Sequence, residues 1–242
     1  MRNYETEAKR RIEFIRGVLE SAGADGVVYG NSGGKDSALV GILCKKACDD
    51  TVGLIMPCGS KRNYETDKTD AETVARQFEI AVRFVDLSDV KHTLIRTCGK
   101  ETRLSDSATA NMAPRLRMTA LYAVAASENR LVAGTGNRSE GHMGYFTKWG
   151  DGACDFNPIG DLTVREVYAF LRYLEAPTAI IEKAPSAGLY DGQTDEQEMG
   201  LTYEAIDRYL LDGKAEPADM AIIERYHTIS RHKREKTRVY GS

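Results

Sequence analysis

Residues 26–41, GVVYGNSGGKDSALVG, decide the fold of this chain. The run Gly26–Gly30 is short and apolar, which is typical of a buried strand. The apolar positions that follow Ser37 predict a helix that continues to about Ala47. Glycines and hydroxyl side chains fill the turn between the two elements. A strand joined to a helix by such a turn predicts an α/β fold, provided that the unit recurs along the chain.

The unit does recur. Further strands are predicted at 51–56, 81–87 and 130–135, and further helices at 5–20, 66–78 and 112–128. Strands that alternate with helices of about a dozen residues predict a doubly wound parallel sheet with helices on both faces. Ligands of such sheets bind beyond the carboxyl ends of the strands. The loops after residues 30, 56, 87 and 135 are therefore expected to face one cleft.

The pattern changes after residue 135. Residues 136–161 are rich in glycine, and helices are predicted near 163–174, 202–211 and 217–232. Two polar stretches, 59–68 and 183–200, are predicted to be lids that close over ligands. We find neither an internal repeat nor a linker rich in proline and serine, so residues 1–242 are expected to form a single domain.

Composition excludes several classes of protein. The 242 residues are 42% hydrophobic and 29% charged, which excludes a disordered chain. A net charge of −3 gives no basic excess for binding nucleic acid or an anionic membrane. Apolar runs are too short to span a bilayer, and the charged N-terminus does not resemble a signal peptide. Five cysteines without a CxxC pair predict free thiols, so we expect a cytoplasmic protein.

The turn at residues 30–37 predicts an anion site. It opens a helix, so unpaired backbone amides and the positive end of the helix dipole point at one place. The P-loop pattern GxxxxGK[ST] fails because Asp36 follows Lys35. The dinucleotide fingerprint GxGxxG fails at Gly134–Gly136, because Ser139 stands where the third glycine is required.

The order SGGxDS resembles instead the loop of the pyrophosphatase-loop ATP family. That resemblance implies cleavage of ATP between its α and β phosphates, with transfer of AMP to a carboxylate or carbonyl oxygen. An aspartate inside a phosphate loop requires a cation, so Asp36 is predicted to be a Mg²⁺ ligand.

The rest of the chain resembles the ammonia-dependent NAD synthetases along nearly its whole length. The most specific segment is GTGNRSEGHMGYFTKWGDGACD at 134–155. Further matches are NMAPRLRM at 111–118, KAPSAGL at 183–189, the Glu198 region with YEAIDRYL at 203–210, and the pair His232-Lys233. The resemblance implies an adenine nucleotide alpha hydrolase-like fold, and a homodimer with its dinucleotide site at the two-fold interface.

The implied reaction is the last step of NAD biosynthesis. Deamido-NAD is adenylated by ATP with Mg²⁺, and ammonia then displaces AMP to give NAD. The chain is too short to add the nitrilase-like domain of glutamine-dependent relatives, so free ammonia is the expected nitrogen donor. A separate amidotransferase subunit that delivers ammonia stays open.

The resemblance also implies a role for individual residues. Asp36 and Glu140 would bind Mg²⁺, and Asp36 and Lys148 are the predicted catalytic residues. The predicted deamido-NAD contacts are Arg115, Lys148, Asp155, His232 and Lys233. The predicted ATP contacts are Gly30, Asn31, Ser32, Gly33, Gly34, Lys35, Asp36, Ser37, Thr135 and Ser186.

Two positions depart from the family pattern. Val164 stands where relatives commonly carry a lysine that contacts ATP, and Arg165 or Lys183 are the residues that could compensate. Asn31 replaces the aliphatic residue that usually precedes SGG, and the sequence alone gives no reason for it. An enzyme that adenylates a tRNA base and a catalytically inactive nucleotide sensor stay open as alternatives, although intact Asp36 and Glu140 argue against the sensor.

One apolar stripe allows two interpretations. Ala8, Ile12, Ile15 and Leu19 recur at helical spacing along the first predicted helix. The stripe could form a dimer contact or pack on the chain's own core.

Overall fold

A parallel four-stranded sheet organises the fold. The computed structural model describes residues 2–60, 64–183 and 195–241. The strands are β1 (Gly26–Gly30), β2 (Thr51–Ile55), β3 (Ala81–Phe84) and β4 (Arg130–Ala133), and their order across the sheet is β3-β2-β1-β4. In register, Val27 lies opposite Thr51 of β2 and Val28 opposite Val132 of β4. β1 is therefore central, and its carboxyl end opens between those of its two neighbours.

Helices cover both faces of this sheet. In the described part of the chain they are α1 (Tyr4–Ala22), α2 (Lys35–Ala47), α3 (Thr66–Gln77), α4 (Ser88–Cys98), α5 (Asp106–Ala110), α6 (Met112–Ser127), α7 (Arg138–Met143), α8 (Val164–Tyr173), α9 (Thr178–Glu182), α10 (Asp195–Met199), α11 (Tyr203–Asp212), α12 (Pro217–Ile229) and α13 (Arg231–Arg234). The prediction of a doubly wound parallel sheet is confirmed.

Capping residues fix where the helices begin and end. The Asn3 side chain accepts a hydrogen bond from the Thr6 amide at the start of α1, and Gly23 ends that helix in the left-handed region at φ 61°. At the start of α8, Thr163 and Glu166 form a reciprocal capping box. The sequence thus encodes these boundaries locally, before any packing.

Two apolar layers hold the helices to the sheet. On one face α1, α2 and α8 pack together around Ile15, Leu39 and Phe170, each fully buried. On the other face α6 packs against β1 and β4, with Leu121 against Val28. Burial of such side chains contributes about 1.5–3 kcal/mol each. The stripe on α1 belongs to the first layer, since Ala8, Ile15 and Leu19 are buried in it, so it packs on the chain's own core.

The structure differs from the predicted elements in several places. β3 ends at Phe84 rather than at residue 87, and the helix predicted at 217–232 breaks at Ser230 between α12 and α13. The helices α4, α5, α7, α9 and α10 were not predicted from the sequence. All but α4 have six residues or fewer, too few to show a clear helical period. α4 does carry Val90, Leu94 and Cys98 at helical spacing, although none of its residues is fully buried. Within the described ranges, no helix combines the length and apolarity needed to cross a membrane.

Candidate functional site

A cavity of about 840 Å³ lies at the carboxyl end of the sheet. Gly30 after β1, Met56 after β2 and Thr135 after β4 all line it, as the parallel topology predicts. Leu87, which follows β3, is not among its described lining residues. β3 is the edge strand, two positions from the central β1, so its carboxyl end lies away from the cleft.

The SGGKDS loop forms the floor of the cavity. Gly33 has φ +70°, and a Cβ there would lie 2.2 Å from the Asp67 carbonyl oxygen of α3, so only glycine fits. Ser32 Oγ lies 3.1 Å from Ser37 Oγ and accepts a hydrogen bond from the Gly34 amide. α2 begins at the next residue without a side-chain cap. Its first amides are therefore available to an anion in the cavity.

Asn31 has a structural role that the sequence did not reveal. Its side chain is 2% exposed, and its Nδ2 donates a hydrogen bond to the Ala71 carbonyl at 3.2 Å. Its backbone amide donates to the Leu54 carbonyl at 2.8 Å. The asparagine side chain thus ties the loop to α3, which an aliphatic side chain could not do through a hydrogen bond. The backbone bond to β2 is available to any residue with an amide hydrogen.

Asp36 and Glu140 lie on opposite sides of one ammonium. Lys35 Nζ is 2.7 Å from Asp36 Oδ2 and 3.8 Å from Glu140 Oε1. Burial opposes the charge of Lys35, but the two carboxylates outweigh it and the pKa of Lys35 is raised. Burial and the neighbouring Asp36 carboxylate raise the pKa of Glu140. The site therefore stabilises positive charge between the two acids.

Asn137 holds both acids in place. Its Nδ2 donates to Asp36 Oδ1 at 3.1 Å, and its backbone amide donates to Glu140 Oε2 at 3.2 Å. The Glu140 amide returns a hydrogen bond to Asn137 Oδ1, which completes the capping box of α7. One oxygen of each acid is thus held by Asn137, and the other lies near the Lys35 ammonium.

The donor chemistry of this pair fits Mg²⁺. Carboxylate oxygens are the hard ligands that Mg²⁺ prefers, and it is usually held by one or two of them together with substrate phosphates and waters. Among the described residues no group of three or more His, Cys, Asp or Glu side chains converges as a metal site. The pair thus suits a cation that also requires ligands from a nucleotide.

Lys183 joins the loop from the other side. Its Nζ lies 3.1 Å from the Gly33 carbonyl oxygen, 2.8 Å from Asp67 Oδ1 and 2.6 Å from Asp70 Oδ2. It lines the cavity, whereas Arg165 is exposed and is not among the described lining residues. Of the two residues predicted to compensate for Val164, only Lys183 reaches the site.

Val164 itself is 4% exposed and lies in an apolar cluster with Met143, Tyr203 and Ile206. The valine therefore completes this cluster and presents no charge to the cavity. Ser186, the second predicted ATP residue beside Thr135, lies outside the described residues. Residues 61–63 of the first predicted lid and most of the second, residues 184–194, lie outside them as well.

The structure brings four of the predicted dinucleotide residues together. Arg115 Nε donates to the Lys148 carbonyl at 3.3 Å, and Lys148 Nζ donates to the His232 carbonyl at 2.6 Å. Lys233, next in the chain, donates to the carbonyls of Gly144 and Phe146. Lys233 lines the cavity, and burial lowers its pKa. These residues form a basic ridge, defined here as Arg115, Lys148, His232 and Lys233.

Trp149 belongs to the same turn as Lys148. It is 63% exposed, and its backbone has φ +64°, which a bulky residue rarely adopts. Lys148 Nζ lies 5.3 Å from the centre of its ring, within the range of a cation–π contact.

Asp155 is held apart from the basic ridge. Its Oδ2 accepts a hydrogen bond from the Val132 amide of β4 at 2.7 Å, and its Oδ1 accepts from the Tyr122 hydroxyl of α6 at 3.0 Å. These contacts extend β4 and secure α6, so the structure gives this aspartate a clear role in the fold.

Arg117 is a cavity residue that the predicted site omitted. It lines the cavity, and its Nε donates to the Met56 carbonyl at 2.9 Å. Burial lowers its pKa. The signal was present in the sequence, because Arg115 and Arg117 lie about 200° apart around a helix. Only one of the two could face inward, and the structure places Arg115 outside.

Known proteins match this chain over nearly its whole length. The NAD synthase family model matches residues 7–238. The NH(3)-dependent NAD(+) synthetase of Carboxydothermus hydrogenoformans is 46% identical over 235 residues, covering 96% of each chain. An NMN synthetase from Francisella tularensis has a TM-score of 0.94 at 34% identity and covers 100% of both chains. The NH3-dependent NAD synthetase of Campylobacter jejuni, in complex with the nitrate ion, has a TM-score of 0.81 at 29% identity and covers 99% of both.

Proposed function

This chain belongs to the NAD synthase family, and we infer from that membership that it is an ammonia-dependent ligase that converts deamido-NAD to NAD. ATP is the second substrate, and AMP and pyrophosphate are the other products. The observation that carries this conclusion is the SGGKDS loop, which opens α2 into the same cavity that Asp36 and Glu140 line. A family match over residues 7–238 leaves neither the tRNA-modifying enzyme nor the sensor with support of its own.

The reaction has two steps. A carboxylate oxygen of the nicotinate bonds to the α-phosphorus of ATP, and the bond from that phosphorus to the departing pyrophosphate breaks. Ammonia then attacks the activated carbonyl carbon, loses a proton, and AMP leaves with the carboxylate oxygen. Residues of the chain contribute mainly by positioning the reactants and neutralising charge, as in other reactions at phosphorus.

Asp36 and Glu140 are the residues that would hold Mg²⁺. The bound cation would neutralise negative charge on the phosphates as pyrophosphate departs. Asn137 supports the pair by fixing one oxygen of each carboxylate, so Asp36 Oδ2 and Glu140 Oε1 are the oxygens that would bind the cation. Asp36 also takes the catalytic role proposed for it through this position.

The loop at residues 30–37 would bind the ATP phosphates. The amides at the start of α2 and the hydroxyls of Ser32 and Ser37 supply donors for phosphate oxygens. Thr135, which follows β4, lines the same cavity and would also contact ATP. Ser186 is proposed as a further ATP contact on the resemblance alone.

The basic ridge would bind the dinucleotide. Deamido-NAD carries a pyrophosphate, and the ammonium groups of Lys148 and Lys233 donate hydrogen bonds to backbone carbonyls. A carbonyl satisfies an N–H group without cancelling its charge, so both lysines retain charge for an anion. Lys148 is the proposed catalytic member of the ridge. Asp155 stays a proposed contact with deamido-NAD on the resemblance alone.

A second acceptor deserves a test because of one comparison. The Francisella tularensis protein that superposes with a TM-score of 0.94 is an NMN synthetase, whereas the Campylobacter jejuni NAD synthetase superposes with 0.81. The name of the first enzyme points to nicotinate mononucleotide as acceptor. The same adenylation chemistry would serve both acceptors, since each carries the nicotinate carboxylate.

Three broader features complete the proposal. Residues 1–242 would act as one domain, and five free cysteines suit the reducing cytoplasm. The enzyme would form a homodimer that binds neither nucleic acid nor membrane. Val82 and Phe84 of β3 and Val90 of α4 are apolar side chains exposed by 40–49%, and a second copy could cover them.

The test measures AMP release from ATP with Mg²⁺ and ammonium chloride. Parallel reactions contain deamido-NAD, nicotinate mononucleotide or no acceptor. AMP formed only with deamido-NAD, in equal amount to NAD, is the expected result. AMP formed only with the mononucleotide would instead identify an NMN synthetase. Failure of both acceptors, with ATP binding intact, would contradict a ligase.

A further inference from the structure

Lys35 contacts the carboxylate oxygens that would bind the proposed metal. Asn137 engages Asp36 Oδ1 and Glu140 Oε2. Lys35 Nζ faces the two oxygens that remain, Asp36 Oδ2 at 2.7 Å and Glu140 Oε1 at 3.8 Å. The lysine side chain is 6% exposed, so its ammonium is a built part of the site rather than a surface charge. An ammonium and a divalent cation cannot both lie between these two oxygens.

Lys35 also approaches the place where the family pattern has its missing lysine. Val164 packs in one cluster with Tyr203. Lys35 Nζ lies 5.6 Å from the centre of the same Tyr203 ring. Two residues far apart in sequence, at the start of α2 and the start of α8, are thus both associated with the Tyr203 side chain, Lys35 through its ammonium and Val164 through the apolar cluster.

Lys183 does not meet this requirement, although it also lines the cavity. Its ammonium lies on Asp67 and Asp70, at 2.8 and 2.6 Å. Neither of these acids is a proposed metal ligand, so the charge of Lys183 stays neutralised whether or not a metal is bound. The partners of Lys35 are the two acids that would give up their oxygens to the metal. Of these two lysines, only Lys35 would lose its carboxylate partners when a metal binds and could then pair with another anion.

We propose that Lys35 is an exchangeable cation that replaces the lysine absent at position 164. Without metal, its ammonium holds Asp36 and Glu140 together. When a divalent cation binds those acids, Lys35 turns to the phosphates of ATP, which lie over the loop that carries it. This inference rests on the proposed function for its choice of ATP and metal, and it predicts that metal and ammonium compete for the free enzyme.

Lys35→Met tests the exchange, because methionine keeps the length of the side chain and removes its charge. Free Mn²⁺ measured by electron paramagnetic resonance reports metal binding without nucleotide. Titration calorimetry with ATP and Mg²⁺ reports nucleotide binding without acceptor or ammonia. We expect Mn²⁺ to bind about tenfold more tightly to the variant and ATP to bind about tenfold more weakly, since a charged hydrogen bond is lost. Unchanged affinities, or weaker binding of Mn²⁺, would overturn the proposal.

Restoring the charge at position 164 gives the sharper test. Lys35→Met with Val164→Lys is expected to recover most of the lost ATP affinity, and no recovery in the folded double variant would contradict the replacement. Circular dichroism checks folding. Should the double variant fail to fold, Lys35→Gln repeats both binding measurements.

Lys45→Met is the matched control, since Lys45 lies on the same helix and donates to the Asp49 carbonyl instead. It should change neither affinity. Neither binding assay contains a nicotinate acceptor. A wild-type protein that fails to amidate deamido-NAD would therefore contradict the proposed function, while the exchange of Lys35 could still be tested by the two binding assays.

Discussion

The two ends of the sheet carry similar charged groups with opposite consequences. At the amino end, Arg130 contacts Asp50 and Glu128 at 2.8 Å each, and Glu128 also binds Arg83. Asp50 and Glu128 thus each have an arginine partner, which cannot lose its proton. At the carboxyl end, Asp36 and Glu140 share one lysine, and burial keeps the pKa of Glu140 raised. The acids of the arginine network at the amino end are fully neutralised. The two acids at the carboxyl end have one lysine between them, so a further cation can bind there.

Asp36→Asn should produce the largest effect at the carboxyl end. The variant keeps the size of the side chain but removes one of the two charges that would hold the metal. We expect AMP release to fall at least about a thousandfold, as losses of central charge-stabilising groups do. A steady-state assay at saturating ATP and Mg²⁺ measures this, with circular dichroism as the check on folding.

Asp49→Asn is its control, because the Asp49 side chain is fully exposed. It should retain normal activity. Near-normal turnover of Asp36→Asn at ordinary Mg²⁺ would refute the metal assignment.

Gly33→Ala should come next, with an effect on stability as well as on ATP binding. Its backbone is left-handed, and the new Cβ would lie 2.2 Å from the Asp67 carbonyl oxygen. Gly213→Ala is the comparison, since Gly213 is left-handed at φ +68° but has open space around it. We expect Gly213→Ala to cost about 1 kcal/mol of unfolding free energy, and Gly33→Ala at least about 2 kcal/mol more. Urea unfolding measures both, and equal losses would mean that contact with α3 is unimportant.

Lys148→Met and Lys233→Met should each raise the KM for deamido-NAD about tenfold, because each removes a charged donor. The KM for ATP should stay within about twofold. Steady-state kinetics with each substrate varied in turn distinguishes these outcomes. Lys214→Met, at an exposed position on the turn after α11, is the control and should alter neither KM. Equal increases in the KM for deamido-NAD and the KM for ATP would contradict a specific role of the basic ridge in binding the dinucleotide.

Glu128→Gln should have the smallest effect, and only at the amino end. Hydrogen bonds from Arg83 and Arg130 lower the pKa of Glu128 to about 2. The folded protein therefore binds the acid's proton less readily than the unfolded chain does. The stabilisation is present above the ordinary pKa of 4.5 and disappears as the pH falls toward 2.

Thermal melts of Glu128→Gln should accordingly show a slightly lower Tm than wild type at pH 7. The difference should shrink below pH 4.5 and with added salt, which screens exposed pairs. Turnover should be unaffected. A difference in Tm that is the same at every pH would exclude the ion pairs as its source.

Local signals in the sequence were enough for the fold and for the floor of the site. The strand, the glycine-rich turn and the helix at residues 26–41 predicted the parallel sheet, the cleft and the position of Asp36. Each of those features follows from periodicity and from the geometry of neighbouring residues. The family motifs added Glu140, which the structure brings beside Asp36 across about a hundred residues of sequence.

Features that depend on packing between distant segments were not predictable. Asn31 reads as an unexplained substitution until its amide is seen to bind the Ala71 carbonyl. The choice of Arg117 over Arg115 for the cavity depends on the rotation of α6, which is set by the packing of residues such as Leu121 in the apolar layer below it. Asp155 resembles a ligand residue by its motif, yet its hydrogen bonds to β4 and α6 are visible only in three dimensions.

Trp149 gives the molecule an optical reporter of its own. It is the sole tryptophan in the sequence, and the Lys148 ammonium lies over its ring beside the basic ridge. Indole emission responds to a nearby charge and to water. Any ligand that draws Lys148 away from the ring will therefore alter the intrinsic fluorescence of the whole protein, with no background from a second indole. Occupancy of the ridge can be followed in unlabelled enzyme, in real time.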